Sequence, residues 1–70
     1  MSLGEDRVRV KFNSSDNSTV AKIKHMTAAM IDLCDELHRN VADPEVKRLF
    51  ALAMTEYESA QHWAVKGATA

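Results

Sequence analysis

The chain has 70 residues and a net charge of −1, and it is 46% hydrophobic and 27% charged, with two glycines and one proline. This composition is typical of one folded, mainly helical domain and excludes a disordered chain. The near-zero net charge gives no general attraction to DNA, RNA or an anionic membrane. No segment has the roughly 20 apolar residues of a membrane helix. We therefore expect neither a nucleic-acid polymer nor a membrane as a partner.

The first 17 residues are predicted to form an extended arm and a polar connector. In the stretch RVRVKF, basic and apolar residues alternate with a period of two, as in a strand with one basic and one apolar face. Because no second strand is available for pairing, we expect an arm lying on a surface rather than a sheet. The stretch NSSDNST follows as a connector with several candidate helix caps.

Helix one is predicted over residues 18–41, where apolar residues recur at spacings of three and four. A second apolar stripe, which includes Met30 and Leu33, widens the apolar face of this helix. Cys34 falls on the same face, so we expect a buried core residue rather than a nucleophile. As the single cysteine, it cannot form an internal disulfide. The N-terminus lacks the apolar core of a signal peptide, and a reducing cytoplasm is the expected location.

Helix two is predicted over residues 44–66. Asp43 is placed as its N-cap, Pro44 as its first helical residue and Gly67 as its C-terminal stop. Since the connection between the helices is short, they are expected to pack antiparallel. The predicted fold class is therefore all-α: a single domain formed by an antiparallel two-helix hairpin with an extended N-terminal arm.

A homo-oligomeric helical bundle is predicted, because a lone two-helix hairpin buries too little apolar surface to fold comfortably. The only tryptophan, Trp63, lies in the last turns of helix two, where a single chain offers few neighbours. We assign it to an interface between subunits, together with Met30, Leu33 and Tyr57.

Positive charge gathers at one end of the predicted hairpin, where the start of helix one lies beside the end of helix two. This end holds Lys22, Lys24, His25, His62 and Lys66. The arm, with Arg9, Lys11 and the ring of Phe12, enters at the same end. Cations, free helix N–H groups and an aromatic ring suit the phosphates and base of a nucleotide. From chemistry alone, solvated lysines and a packing role for Phe12 are the commoner explanation of such a pattern.

No arrangement of catalytic or metal-binding residues is evident in the sequence. The three histidines lack the spacing of metal ligands, and there is no Gly-rich phosphate loop or Ser/His/Asp arrangement. A rod of two helices offers no water-excluding cleft except between subunits. We expect no enzyme activity, no metal and no cofactor.

Two stretches carry a family resemblance: KIKHMTAAMIDLCDEL on helix one and AMTEYESAQHWAVKGAT on helix two. The chain resembles the phage-encoded proteins that sequester the cyclic nucleotide signals of bacterial CBASS immunity. The matching motifs are an Ile-Lys near the start of helix one, a terminal Trp-Ala-x-basic motif and an aromatic residue in the arm. They are found here at Ile23-Lys24, at Trp63, Ala64 and Lys66, and at Phe12.

The resemblance implies an all-helical homohexamer without catalytic activity. It implies cyclic dinucleotides bound between neighbouring subunits and, in some members, cyclic trinucleotides bound at separate sites. Carried over to this chain, Phe12 stacks on a base, Lys24 contacts a phosphate, and Thr27 offers a hydroxyl to the same ligand. Lys66 serves a phosphate site near threefold packing. Bound messenger is then withheld from the immune effector in the host bacterial cytoplasm.

The chain departs from the family pattern in the arm. Phe12 lacks the hydroxyl of the usual tyrosine, and Ser14 stands where a proline is common, which leaves the path of the arm less fixed. A related family with the same hairpin, whose members are longer, captures the cyclic ADP-ribose isomers of Thoeris immunity. Two alternatives therefore stay open: a sponge for those isomers, or a small oligomeric adaptor that binds a protein partner.

Overall fold

The structure is a computed structural model that describes residues 2–8 and 18–70. These residues form three helices: α1 (Leu3–Val8), α2 (Ser18–Asn40) and α3 (Pro44–Ala68). The two long helices pack side by side as an antiparallel hairpin, and α1 packs mainly on α2. The all-α hairpin that the sequence predicts is confirmed. None of these helices combines the length and the apolar character needed to cross a bilayer.

The turn of the hairpin is closed by local contacts. Asp43 has extended backbone, and its side chain accepts a hydrogen bond from the Glu45 N–H at 2.8 Å, while Pro44 occupies the first turn of α3. This is the N-cap arrangement predicted from the sequence. The Lys47 ammonium donates to the His38 carbonyl oxygen at 2.6 Å, which satisfies a terminal carbonyl of α2. The end of α2 is thereby tied to the first turn of α3.

The far end of α3 differs from the prediction that Gly67 stops the helix. Gly67 lies inside α3, and Thr69 is the C-cap. The backbone N–H and the hydroxyl of Thr69 both donate to the Val65 carbonyl oxygen, at 3.0 and 2.9 Å. Because these bonds satisfy the last turn, no residue with left-handed backbone is needed to end the helix.

The predicted extended arm is wrong for residues 3–8, which form the helix α1. An isolated strand pairs none of its backbone N–H and C=O groups within the segment, whereas a short helix pairs a few of them. A helix of six residues is too short to be stable alone, so α1 depends on the surface against which it packs. The remainder of the predicted arm, residues 9–17, lies outside the described residues.

Contacts distant in sequence fix α1. The Gly4 N–H, one of the unpaired donors of the first turn, donates to Asp32 Oδ1 at 2.6 Å. A Cβ at Gly4 would overlap the backbone carbonyl of Ala28, so only glycine permits this close approach. Arg7 forms an ion pair with Glu58 of α3 at 3.6 Å. The segment is therefore attached to both long helices.

The core of the described residues is small. Its buried apolar side chains are Ala28, Ile31, Cys34 and Met54. Four half-buried side chains pack against them: Leu3, Phe50, Ala53 and Tyr57. Cys34 is a buried free thiol, as the apolar pattern predicts. Ile31 alone is sealed completely from solvent among these residues, which shows how little of the chain a single hairpin encloses.

The core is small because the hairpin is thin. The Cα atoms extend over 43 × 23 × 12 Å, so the hairpin is thin along its shortest axis, and each long helix packs against a neighbour on only part of its surface. One layer of helices covers apolar side chains on one side only, so large ones remain exposed. They are Met26, Met30, Leu33, Leu37, Leu49, Leu52 and Trp63.

Candidate functional site

The candidate site is the open end of the hairpin, defined here as residues 18–28 of α2 and 58–68 of α3. Both helices leave the turn at residues 41–43 and rise about 1.5 Å per residue, so residues equally distant from the turn lie side by side. Lys24 is therefore level with residues 60 and 61. The basic residues at this end, which the sequence analysis placed together, share it in the structure because the hairpin is antiparallel.

Lys24 lies on the inner face of α2. It precedes Ala28 by one helical turn and Ile31 by two, and both of these residues are buried. Its side chain is half-buried, whereas that of Lys22 is exposed. Within the part of the chain that the structure describes, no ion pair or hydrogen bond engages the Lys24 ammonium. A cation held at the seam between two helices without an anionic partner is suited to bind a phosphate.

Thr27, one turn along α2 from Lys24, is also half-buried. Its hydroxyl donates to the Ile23 carbonyl oxygen at 2.7 Å. Because that proton is already donated, Thr27 Oγ1 can still accept a hydrogen bond but cannot donate one to a ligand. A ligand that contacts Thr27 must supply an N–H or O–H group, which a phosphodiester group does not carry.

Lys66 and Trp63 form a pair on the outer surface of α3. The Lys66 ammonium lies over the indole ring, 5.0 Å from its centroid, which is a cation–π contact. Trp63 is 70% exposed and contributes little to the packing of its own chain. Since both side chains point into solvent, this pair is separate from the half-buried Lys24.

The residues assigned to an oligomer interface fall into two groups. Met30, Leu33 and Trp63 are exposed in the single chain. Tyr57 is half-buried and packs against the core of its own chain. The structure thus gives the Tyr57 ring an intrachain contact that its sequence position did not reveal.

Three predicted ligand-binding residues, Arg9, Lys11 and Phe12, lie outside the described residues. The structure therefore brings only part of the predicted site together. Lys24 and Thr27 lie close to each other on α2, and Lys66 lies on α3.

Gln61 was not predicted from the sequence as a residue of the site. It is only 4% exposed, although it is polar. It follows Met54 by two helical turns, so it lies on the inner face of α3, level with Lys24. Among the described residues, no donor reaches its Oε1 atom. An unsatisfied buried polar atom costs about 1–3 kcal/mol. The sequence feature that could have identified Gln61 is its position as a glutamine within the apolar stripe of a helix.

A surface depression of about 250 Å³ is lined by Thr55, Glu58, Ser59 and His62 of α3. Of the predicted ligand-binding residues that the structure describes, none lines it. Glu58 is paired with Arg7, and a carboxylate disfavours a phosphate ligand there. No group of three or more metal-ligating side chains occurs among the described residues.

The chain matches a known protein family. A family model described as Acb2/Tad1, hairpin domain, matches residues 5–69. The match includes both long helices and the open end described above. No curated protein and no solved structure matches the chain.

Proposed function

The chain belongs to the Acb2/Tad1 hairpin family, which is the anti-CBASS sponge family, and we propose on that premise that it is a non-catalytic phage protein that sequesters cyclic oligonucleotide messengers. The family consists of binding proteins that sequester cyclic nucleotides. For this chain we propose cyclic dinucleotides as the first ligand class. Sequestration in the host bacterial cytoplasm would keep the messenger from its immune effector.

The observation that carries the proposal is the half-buried Lys24 at the open end of the hairpin, whose ammonium has no partner among the described residues. Burial along the seam orders the lysine stem before a ligand arrives, so less conformational entropy is lost on binding. A phosphate of a cyclic dinucleotide is the anion that we assign to it. Phe12 stacks on a base in this proposal, and Arg9 and Lys11 add positive charge from the arm.

We further propose that the functional unit is a homo-oligomer, with a hexamer as the expected state. On α2, four exposed apolar residues recur at spacings of four, three and four: Met26, Met30, Leu33 and Leu37. This is the spacing of a helix seam that packs against another helix. Met30, Leu33, Trp63 and the accessible part of Tyr57 form the proposed contact between subunits.

Lys66 is proposed to serve a second ligand class, the cyclic trinucleotides. Its ammonium is exposed and held over the Trp63 ring, so interface formation at Trp63 would also place Lys66 near a neighbouring subunit. Copies of Lys66 gathered around a symmetry axis would form a cationic site for several phosphates.

Native mass spectrometry tests the proposal directly. The purified protein is measured alone and with cyclic dinucleotides, cyclic trinucleotides and cyclic ADP-ribose isomers. We expect a hexamer that takes up a fixed number of cyclic dinucleotides. If the protein bound only cyclic ADP-ribose isomers, the immune pathway that it opposes would be Thoeris rather than CBASS. An oligomer that binds none of these ligands would refute the sponge and favour an adaptor that binds a protein partner.

A further inference from the structure

Gln61 presents a buried acceptor at the level of the proposed phosphate contact. Lys24 and Gln61 occupy the inner faces of α2 and α3 at the same distance from the turn, where the apolar core ends. Lys24 offers a donor without a partner, and Gln61 Oε1 is an acceptor without one among the described residues. If packing alone were required at this point, leucine or methionine would fill the space without an unsatisfied atom.

Thr27 adds a second acceptor to this corner, because its hydroxyl proton is donated to the Ile23 carbonyl oxygen. This corner of the open end therefore combines the Lys24 cation with two acceptors, Thr27 Oγ1 and Gln61 Oε1. The cation matches a phosphate, which is an acceptor only. The two acceptors match N–H or O–H groups, which phosphates lack and nucleosides carry.

We infer that Gln61 is a specificity-determining residue of the ligand site, and that its Oε1 accepts a hydrogen bond from a base amino group or a ribose hydroxyl next to the phosphate bound by Lys24. This inference rests on the proposed function, since it assigns a chemical role within the same site. It excludes simple polyphosphates as good ligands, because they satisfy Lys24 alone.

Burial of Gln61 adds a consequence for the binding process. Its Oε1 is sealed in the ligand-free chain, so the ligand donor reaches it only when the seam opens or the side chain rotates. The unsatisfied atom disfavours the closed seam, and the bound ligand removes that disadvantage. Removal of the Gln61 oxygen should therefore raise the stability of the protein without ligand and lower its affinity for the ligand.

The test replaces Gln61 by methionine, which has a similar length and no hydrogen-bonding amide. Thermal unfolding of the ligand-free protein and calorimetric titration with a cyclic dinucleotide are measured for both proteins. For Q61M we expect a midpoint temperature equal to or above that of the unmodified protein, and an affinity at least about tenfold weaker. A control variant, Glu56→Gln, changes an exposed residue of α3 outside the open end and should leave both quantities unchanged.

Ligand analogues identify the donor. A 2′-deoxy cyclic dinucleotide removes the ribose hydroxyl, and a purine analogue without its exocyclic amine removes the base donor. The unmodified protein should lose affinity for one of them, and Q61M should bind that analogue and the parent ligand equally.

Three outcomes would overturn the inference. Q61M that binds as tightly as the unmodified protein would show that the ligand does not use Gln61. A variant that loses stability and affinity together would show a purely structural role. Absence of binding by the unmodified protein to every messenger would refute the proposed function and, with it, this inference.

Discussion

The two ends of the hairpin differ in how far one chain satisfies its own polar groups. At the turn, the Asp43 carboxylate accepts from the Glu45 N–H, and Lys47 donates to the carbonyl of His38. Arg48 pairs with Glu45, and this hydrogen bond raises the pKa of the guanidinium above its ordinary value.

At the open end, the ammonium of Lys24 and the Oε1 atom of Gln61 have no partner among the described residues, and Trp63 is largely exposed. The turn is thus complete within one chain. The open end has groups suited to a ligand and to further subunits. Four substitutions test this comparison.

Lys24→Ala is expected to have the largest effect. It removes the cation that we assign to a ligand phosphate, and affinity for cyclic dinucleotides should fall by about 100-fold or more, as for loss of a charge-assisted hydrogen bond. Titration calorimetry measures this loss, and native mass spectrometry checks that the oligomer is intact. Lys22→Ala is the matched control, because Lys22 is exposed on the same helix. If K24A and K22A bound the ligand with equal affinity, Lys24 would not be a ligand-binding residue.

Trp63→Ala should dissociate the oligomer. The indole is 70% exposed in the single chain, so its proposed packing partners belong to other subunits, and a buried interface tryptophan typically contributes about 2 kcal/mol or more. Sedimentation velocity over a range of protein concentrations measures the assembly state. Trp63→Phe, which retains an aromatic ring, should preserve more of the oligomer. A W63A variant that remains fully assembled at all concentrations would exclude this role for Trp63.

Asp43→Ala tests the turn end. Loss of the N-cap hydrogen bond should lower the free energy of unfolding by about 1 kcal/mol. Ligand affinity of the folded protein should stay unchanged, because the turn lies at the opposite end of the hairpin. Chemical denaturation at fixed protein concentration measures the difference, with Asp43→Ser as a control that keeps a capping oxygen. If D43A weakened ligand binding instead, the two ends would not be independent.

Gly67→Ala should give the smallest effect, and it should be stabilising. Gly67 lies within α3, and a Cβ added there meets no atom within 4 Å. Alanine should raise the free energy of unfolding by about 0.5–1 kcal/mol, because it restricts the unfolded chain more than glycine does. Gly4→Ala is the opposite control, since its Cβ overlaps the carbonyl of Ala28. Destabilisation by G67A in thermal unfolding would indicate that the end of α3 is covered in the assembly.

The elements predicted correctly from the sequence are those that depend on neighbouring residues. The Asp43 cap involves residues two positions apart, and burial of Cys34 follows from the apolar period of one helix. The alternation of basic and apolar residues near the N-terminus predicted an extended arm, but Leu3–Val8 is helical. That short helix is stabilised by Asp32, which is 28 residues away from Gly4. No local pattern contains such a contact.

In the candidate site, too, some features were predicted from the sequence and others required the structure. Clustering of positive charge at the open end follows from the antiparallel hairpin, and the sequence predicted it. Burial of the Gln61 oxygen and commitment of the Thr27 proton became visible only with coordinates. Of the four substitutions, K24A and W63A test groups chosen from the sequence, whereas the expected gain in G67A depends on coordinates.

By itself, the sequence determined the two long helices, their antiparallel hairpin and its family, because helical periodicity, capping and short connections act between residues close along the chain. Tertiary structure decided which polar groups are left without partners. Helix packing seals Gln61 and half-buries Lys24, and the single layer leaves Trp63 exposed. Burial is a property of the packed surfaces of several elements, so a local pattern predicts the face of a helix but not which polar atom on that face remains unsatisfied.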